Sequence, residues 1–531
     1  MDKSITRLKT FEKKLIKSGI LNFTQSLPSN AEVYLVGGIV RDILINRKKT
    51  GDIDLVIRNI KIENLEKILK KHGKVNFVGK NFGVFKFTPK PLNNQLSTIN
   101  YQSIDIALPR TEHSFGTGAY KDFKINYNPK LPIKKDLSRR DFTINSIAYQ
   151  LPCLPAGRST INNKQSHLID PYHGIKDLQN KTIRTVGNPR IRFSEDYSRM
   201  LRAIRIACEL NFKIEEKTFK AIKKQMPRIN DPADVTPHNC GGAYAGKTRR
   251  LVPYEIIASE ILKSFSANPV LALDFMDKTG AIRELIPELL FLKNCPQPKE
   301  HHSEGDVWTH TRLALSLINS EKINKEFPTK KPSINYQSAD IELILAVLFH
   351  DIGKPAAVKI DDNKVSFYNH SKVGAKISKN ICKRLKFSAA PDFDINCKNI
   401  YSLVNKHMLY LYNHTSKLKN STIAKYFLLN SEMGEKLQKL FWIDSMASVL
   451  LVGKRDFSDL KMLRKKIQSV QKQLKITQKN HLLTGHDIMK KFNIKPGPKI
   501  GKLLNIVHEA QLSNIIKNKK DAINFLKREI K

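Results

Sequence analysis

Asp52 and Asp54 stand two residues apart in the stretch GDIDLVI (51–57), between apolar neighbours. In an extended strand, residues i and i+2 share a face. The spacing therefore predicts two carboxylates projecting together, with Ile53 and Leu55 on the packed side. Like charges this close repel, and hard carboxylate oxygens suit Mg²⁺ as the compensating ion. An isolated Asp-x-Asp is more often a pair of solvated carboxylates, so the preceding turn decides its weight. There Gly37 and Gly38 separate the apolar run Val33–Val36 from a helix expected to begin near Ile39. Backbone N–H groups at such a helix start can hold a phosphate, and Arg41 on the first turn adds a cation. A triphosphate site beside a metal-binding pair is the composition nucleotidyl transfer needs, with two metals roughly 3.5–4 Å apart serving the attacking hydroxyl and the leaving pyrophosphate.

A second set of such residues lies in the C-terminal half. The segment LILAVLFHDIGKP (343–355) is apolar almost all round before His350 and Asp351, so the helix it predicts is buried. Ionisable groups at the end of a buried helix require partners. His310 in HHSEGDVWTHT (301–311) and Asp444 in FWIDSMAS (441–448) bring the set to two imidazoles and two carboxylates, a divalent-metal set. His370 in FYNHSKVGA (367–375) and His407 in VNKHMLY (404–410) are read as completing a second metal position or binding phosphate. A second His-Asp pair, His486-Asp487 in LTGHDIMKK, reads as a helix start with no metal.

The elements that must position these residues divide the chain in two. Val33–Val36, Ile53–Ile57, Val84–Phe87 and Ile104–Ala107 have strand length and pattern, whereas helical patterns dominate from about Phe193. The fold class expected is α+β, a mixed head followed by all-α domains. In RFSEDYSRMLRAIRIA (192–207), Ser194 is read as a helix N-cap with Glu195 and Asp196 in the first turn. Asp196, Arg199 and Arg202 would then share one face, which taken alone is a surface ion pair worth little. Two stretches, 151–167 and 231–251, carry Pro, Gly, Ala and Cys in a chain otherwise rich in Lys, Ile and Asn, and read as insertions. The chain has 531 residues, with 92 Lys and Arg against 49 Asp and Glu, a net charge of +43. Such a field attracts polyanions, with nucleic acid the leading partner. No apolar run approaches the ~20 residues that span a bilayer, so no membrane role is expected. The six cysteines are scattered with no C-x-x-C pair, and the N-terminus lacks a signal peptide's apolar core. Both features point to the cytoplasm.

GGIVRD followed by GDIDLVI resembles the signature of the tRNA CCA-adding enzyme and bacterial poly(A) polymerase family, within the DNA polymerase β-like nucleotidyltransferases. Further motifs follow in family order. SIDIALPRTE (103–112) resembles the strand after the metal pair, which makes Asp105 a third carboxylate. DLSRRDFTINSIAY (136–149) resembles the Arg-Arg-Asp motif, where Arg140, Asp141 and Asn145 serve the nucleotide, the first two at its sugar and phosphates. DPYHGIKDL (170–178) resembles the hinge motif but has His173 where glycine is usual. By resemblance the base is read by Asp196 and Arg199, with Arg202 beside them. VPYEIIASEILKSF (252–265) resembles a bracing helix, with Glu255 and Glu260 steadying the base-reading one. HDIGKP with its ordered partners resembles the HD-domain phosphohydrolases, which follow the transferase in one bacterial branch.

The domain plan implied is a polymerase β-like nucleotidyltransferase head (1–150), an insertion (151–167), a helical neck (168–230), an insertion (231–251), a helical body (252–300), an HD domain (301–460) and a helical tail (461–531). The resemblance implies addition of C, C and A to tRNA 3′ ends from CTP and ATP without a template. Mg²⁺ would be held by Asp52 and Asp54, the triphosphate by Gly37, Gly38 and Arg41, and a divalent metal by the HD residues. The HD site would hydrolyse phosphomonoesters or 2′,3′-cyclic phosphates. The alternatives are a poly(A) polymerase, an enzyme adding only CC or only A, and an HD phosphohydrolase whose head merely binds RNA.

Overall fold

The computed structural model describes residues 2–47, 52–78, 84–90, 104–152, 167–233, 250–328, 340–362, 364–410, 417–479, 482–512 and 515–530. The two compositionally foreign stretches lie largely outside the described residues, which resume at 167 and 250. Two compact units result. One comprises Met1–Leu285 together with Ala389–Asp392; the other comprises the described parts of Ile286–Ser333, Gln337–Ser388 and Phe393–Lys531.

The first unit is built on nine head strands: β1 (Glu32–Val36), β2 (Ile53–Arg58), β3 (Gly73–Val78), β4 (Val84–Pro89), β5 (Ile104–Ala107), β6 (Arg110–Ser114), β7 (Phe123–Tyr127), β8 (Ala148–Leu151) and β9 (Leu168–Ile169). Seven form one sheet in the order β3-β4-β5-β2-β1-β8-β9, while β6 and β7 form a separate hairpin. Only β2 and β5 pair in parallel; the other neighbours are antiparallel. The predicted alternation holds in β2, where Ile53, Leu55 and Ile57 are buried on one face. The opposite face is covered farther along by Tyr34, Val36, Val56, Ile133, Leu137 and Ala148. Asp54 occupies the start of that face, and Asp52 precedes the strand and is exposed. Gly37, with φ +81°, leads into the helix Gly38–Leu44. A Cβ there would lie 3.0 Å from Asp54 Oδ2 and 3.3 Å from the Arg140 guanidinium, so both the positive φ and the close approach call for glycine.

Helices take over after the sheet. His173, in the position where glycine is expected, has φ +59° in the left-handed region, the physical reason for the family's preference. Asp170 holds the turn by accepting from the backbone N–H groups of Gly174 and Ile175 at 2.7 and 2.9 Å.

In the second unit every residue of the helix Ile341–Phe349 is buried, as its unbroken apolar run predicts. Each buried Leu, Ile or Phe side chain contributes roughly 1.5–3 kcal/mol. The one acid in it, Glu342, is satisfied by Lys436 Nζ at 2.8 Å, by Asn399 Nδ2 and by the backbone N–H of Asn396. This rod packs against Val307–Leu317, Cys397–Lys406 and Ser431–Ala447, the helices that carry or adjoin the other metal-ligand candidates. Toward the C-terminus, Gly485–Phe492, Pro498–Leu512 and Lys519–Ile530 share a small core of their own. His486-Asp487 does begin a helix, with Asp487 and Thr484 forming a reciprocal capping box. Among the described residues no helix is long and apolar enough to cross a membrane.

Candidate active site

The parallel register of β2 and β5 sets Asp54 directly beside Asp105. Asp54 is pushed up to about 6, mainly by burial, with Asp105 and Asp52 adding and Arg140 opposing. Asp105 is also raised, first by burial and then by Asp52, against the pull of Lys86. Three carboxylates thus act on one another with too little cationic relief from the protein, a donor set that fits a hard divalent ion. They adjoin a cavity of about 560 Å³ lined by Gly37, Gly38, Asp54, Asp105, Arg140, Asp141, Asn145, Asp196, Arg199 and Arg202. Residues separated by up to 165 positions are thereby gathered at one site. Asp52 and Arg41 are not among the lining residues. Arg41 is buried, with Nε on Asp42 Oδ1 and Nη1 on Asn145 Oδ1, each at 2.8 Å, and so bears on the cavity through Asn145.

The segment 192–207 is organised differently from its sequence expectation. Ser194 is not an N-cap. Asn188 caps a helix over Pro189–Glu195 by accepting from the Arg190 N–H at 2.9 Å, with Pro189 at the first position. That start signal lies upstream of Ser194, whose hydroxyl donates back to the Ile191 carbonyl at 2.9 Å. Asp196 then breaks the helix in an extended conformation and accepts from the Ser198 N–H at 2.9 Å, and a new helix runs over Ser198–Leu210. Asp196 therefore stands at the junction, while Arg199 and Arg202 share the following helix.

Arg199 Nη1 lies 2.5 Å from Glu195 Oε2 and donates to the Arg192 carbonyl at 3.2 Å, with the guanidinium 5.3 Å from the centre of the Phe123 ring. Arg202 pairs with Asp141 at 3.2 Å. Burial pushes Asp141 up, but the Arg202 and Arg199 guanidiniums outweigh it and hold the carboxyl below its ordinary range. Glu260 does brace this helix, accepting from Arg205 Nε at 2.6 Å. Arg140 and Arg202 each keep a buried Nε without a hydrogen-bond partner among the described residues, that of Arg202 lying 3.9 Å from Glu260 Oε1.

Sequence reading missed the hairpin β6–β7, which lines the same cavity through Arg110, Glu112, Phe123 and Ile125. Glu112 accepts from Arg139 Nη1 at 2.6 Å and from Arg110 Nη2 at 2.9 Å, and Arg139 Nη2 reaches Asp136 at 2.8 Å. The available signal was Arg139 itself, a cation inside a motif of buried residues that needed an acid from elsewhere.

In the second unit His310, His350, Asp351, His370, His407 and Asp444 come together, all buried. His350, His370 and His407 each point Nδ1 at a backbone carbonyl three residues back, at 2.8, 2.8 and 2.7 Å. Those contacts assign the proton to Nδ1 and leave the Nε2 lone pairs converging. His310 Nε2 lies 3.1 Å from Asp444 Oδ1 and 3.3 Å from His350 Nε2. His370 and His407 meet Nε2 to Nε2 at 3.1 Å. Asp351 joins the two halves, with Oδ2 3.2 Å from His350 and Oδ1 3.4 and 3.6 Å from His370 and His407. The donor set fits two neighbouring divalent ions, His310, His350 and Asp444 on one side and Asp351, His370 and His407 on the other. Glu304, unassigned from sequence, accepts from Nδ1 of His310 at 2.8 Å and of His302 at 2.7 Å, and its second oxygen takes the Val449 N–H. A cavity of about 460 Å³ adjoins the cluster, lined among others by His302, Lys354, Tyr368 and Arg455.

Residues 33–184 match the poly A polymerase head domain, and residues 367–526 match tRNA nucleotidyltransferase domain 2. The Multifunctional CCA protein of Mannheimia succiniciproducens is 30% identical over 359 residues, covering 67% of this chain and 70% of that one. The protein of the same name from Actinobacillus pleuropneumoniae serotype 5b is 29% identical over 400 residues, covering 75% and 79%. In fold, the chain is similar to the Bacillus stearothermophilus CCA-adding enzyme solved with CTP, at a TM-score of 0.59 and 18% identity over 97% of both chains. It is also similar to the Thermotoga maritima CCA-adding enzyme solved with tRNA, at a TM-score of 0.52 and 20% identity over 98% of both. The chain belongs to the multifunctional CCA protein family.

Proposed function

We propose that the chain is a tRNA nucleotidyltransferase that builds CCA onto tRNA 3′ ends from CTP and ATP without a template. The observation that carries this is that Asp54, Asp105, Arg140, Asp141, Asp196, Arg199 and Arg202 all open into one cavity of the head. The tRNA 3′-hydroxyl attacks the α-phosphorus of the nucleotide and pyrophosphate leaves. Asp52 and Asp54, with Asp105, would hold Mg²⁺, which when bound polarises the hydroxyl and neutralises charge on the leaving group. Gly37 and Gly38 let the backbone approach the triphosphate, and Arg140 places a cation against it. Arg41 fixes Asn145, and Asp141 fixes Arg202. Asp196 offers acceptors and Arg199 donors, which together can satisfy the pairing edge of C or A while mismatching G and U. The +43 charge holds tRNA through its phosphates, so binding falls steeply with salt. Action on tRNA places the protein in the cytoplasm.

We further infer that the second unit carries an HD-type metal-dependent phosphohydrolase within 301–460, on the ground of the converging Nε2 atoms and the shared Asp351. A divalent metal held there would polarise a phosphoester and its attacking water. Lys354 and Arg455 face the adjoining cavity and would receive the phosphate. The domain plan of head, neck, body, HD domain and tail is carried forward in this reading.

Primer extension tests the first proposal: a tRNA ending at its discriminator base should gain CCA. Replacing His350 and Asp351 by Ala should abolish release of phosphate from a phosphoester and leave extension intact. Phosphate release that survives the double change would remove the second proposal.

A further inference from the structure

Strand pairing places four polar residues in one row across the head sheet. Asp54 in β2 pairs with Asp105 in β5, Asp105 with Lys86 in β4, and Lys86 with Asn76 in β3. Residues opposite one another in a sheet project from the same face, so Lys86 and Asn76 continue the face that carries the carboxylates. Lys74 in β3 is on that face too, a diagonal neighbour of Lys86 at roughly 7–8 Å. All three are exposed. Phe85 and Phe87, alternating with Lys86, are buried in the core, where Phe87 meets the Phe23 ring edge-on at 5.4 Å.

A polar strand face is ordinarily just solvated, and lysines on edge strands guard against stray pairing. Lys86 needs a different account. β4 is paired on both sides, by β3 and β5, so Lys86 is not on an edge. It also lines the same cavity as Asp54 and Asp105. The arginines of that cavity, Arg110, Arg139, Arg140, Arg199 and Arg202, are each paired with a carboxylate. Lys86 makes no such ion pair among the described residues, although its ammonium acts on Asp105, countering the rise that burial causes. A cation left uncommitted on a cavity wall is available to an anionic ligand.

The in-line geometry of nucleotidyl transfer says which ligand. Attacking and leaving oxygens lie on opposite sides of the α-phosphorus. Gly37, directly after β1, approaches both Asp54 and the Arg140 guanidinium, so the triphosphate cradle flanks the carboxylates on their β1 side. Pyrophosphate leaves on that side, and the attacking hydroxyl must enter from the β4 side, where Lys86 stands.

We propose that the exposed face of β3 and β4 is the track for the single-stranded 3′ end of the acceptor RNA. Lys86 holds the phosphate of its terminal nucleotide and Lys74 the one before. This rests on the transferase reading above and adds to it the side from which the second substrate enters. Lys86 is a positioning residue: it moves no proton and touches no reacting atom.

The test is steady-state extension by the full chain of a tRNA ending at its discriminator base, with CTP and tRNA varied separately. Lys86→Gln should raise KM for tRNA about tenfold, the loss expected for one hydrogen bond to a charged group. KM for CTP and kcat should stay as they are, and Lys86→Arg should restore the wild-type KM. The dependence of log KM for tRNA on log salt should become shallower by about 0.7, the contribution of one single-strand phosphate. Lys74→Gln should act in the same direction and less strongly. Lys67→Gln, which removes an exposed lysine of the helix Ile62–His72 outside the row, should change nothing. The proposal is overturned if Lys86→Gln leaves KM for tRNA unchanged, if it raises KM for CTP instead, or if Lys67→Gln has the same effect. In each of those cases the wild-type protein still extends tRNA and the transferase reading survives. No extension by the wild-type protein would remove both.

Discussion

The two candidate sites solve the same electrostatic problem in opposite ways. In the head, Asp52, Asp54 and Asp105 repel one another, and burial with that repulsion drives Asp54 up to about 6. In the second unit, Asp351 and Asp444 are deeply buried too, yet burial is outweighed there by histidines and, at Asp351, also by the Lys354 ammonium 2.6 Å away, so both carboxyls fall well below their ordinary range. The head thus leaves its charge to be balanced by what arrives with substrate, and it does so beside an open cavity of about 560 Å³. The helical cluster is held together by its own imidazoles, each oriented through Nδ1. A site completed by its nucleotide should bind metal loosely and turn over with substrate. A pre-oriented set should retain metal between turnovers.

The sharpest way to break this contrast is Asp54→Ala, which should lower CCA addition by on the order of 10³-fold or more, as expected when groups stabilising transition-state charge are lost. Metal retained by the second unit, read by elemental analysis after gel filtration, should not change. A shared loss would mean that the two sites are not independent. Next comes Arg139→Met, which takes from the buried Asp136 and the partly buried Glu112 the guanidinium that serves them at 2.8 and 2.6 Å, leaving each with its weaker arginine partner. Removing one member of a buried charge set costs roughly 3–5 kcal/mol, and chemical denaturation would show it.

Glu304→Gln should weaken metal retention in the second unit by about 10–100-fold, because the group that orients His310 is altered while every proposed ligand stays. Unchanged retention would reduce Glu304 to a packing role. The smallest effect is in pH. Burial raises Glu112 and Asp136, but Arg139, with Arg110 or Arg140, more than offsets it and holds both carboxyls low. Folded values below the unfolded ones mean that this stability is fully present above the ordinary carboxyl range near pH 4. It is lost as pH falls through the depressed values. The wild-type unfolding temperature should therefore drop on acidification below about pH 4, and Arg139→Met should flatten that dependence.

How legible each region was follows from the same physics. The alternation in β2 and the all-round apolar helix Ile341–Phe349 are local periodicities, so Asp54 and the His350-Asp351 terminus could be placed from sequence. The pairing of Asp54 with Asp105 depends on a parallel register between strands separated by about fifty residues, and the sequence holds no local trace of it. The hairpin β6–β7 went unassigned for a similar reason. Glu112 and Phe123 matter because of what Arg139 and Arg199 bring to them, not because of any spacing of their own. The misplaced cap at Ser194 was a contest between two local signals, won by Asn188-Pro189. Glu304 was visible within HHSEGDVWTHT, but a carboxylate that orients a ligand looks the same in sequence as a solvated one.

The most direct measurement of the central claim is extension of a tRNA ending at its discriminator base with Mg²⁺, CTP and ATP, followed by sequencing of the product ends. The account predicts ends reading CCA, absent when Asp52 and Asp54 are replaced by Ala. Long A tails, or no extension by the wild-type protein, would contradict it.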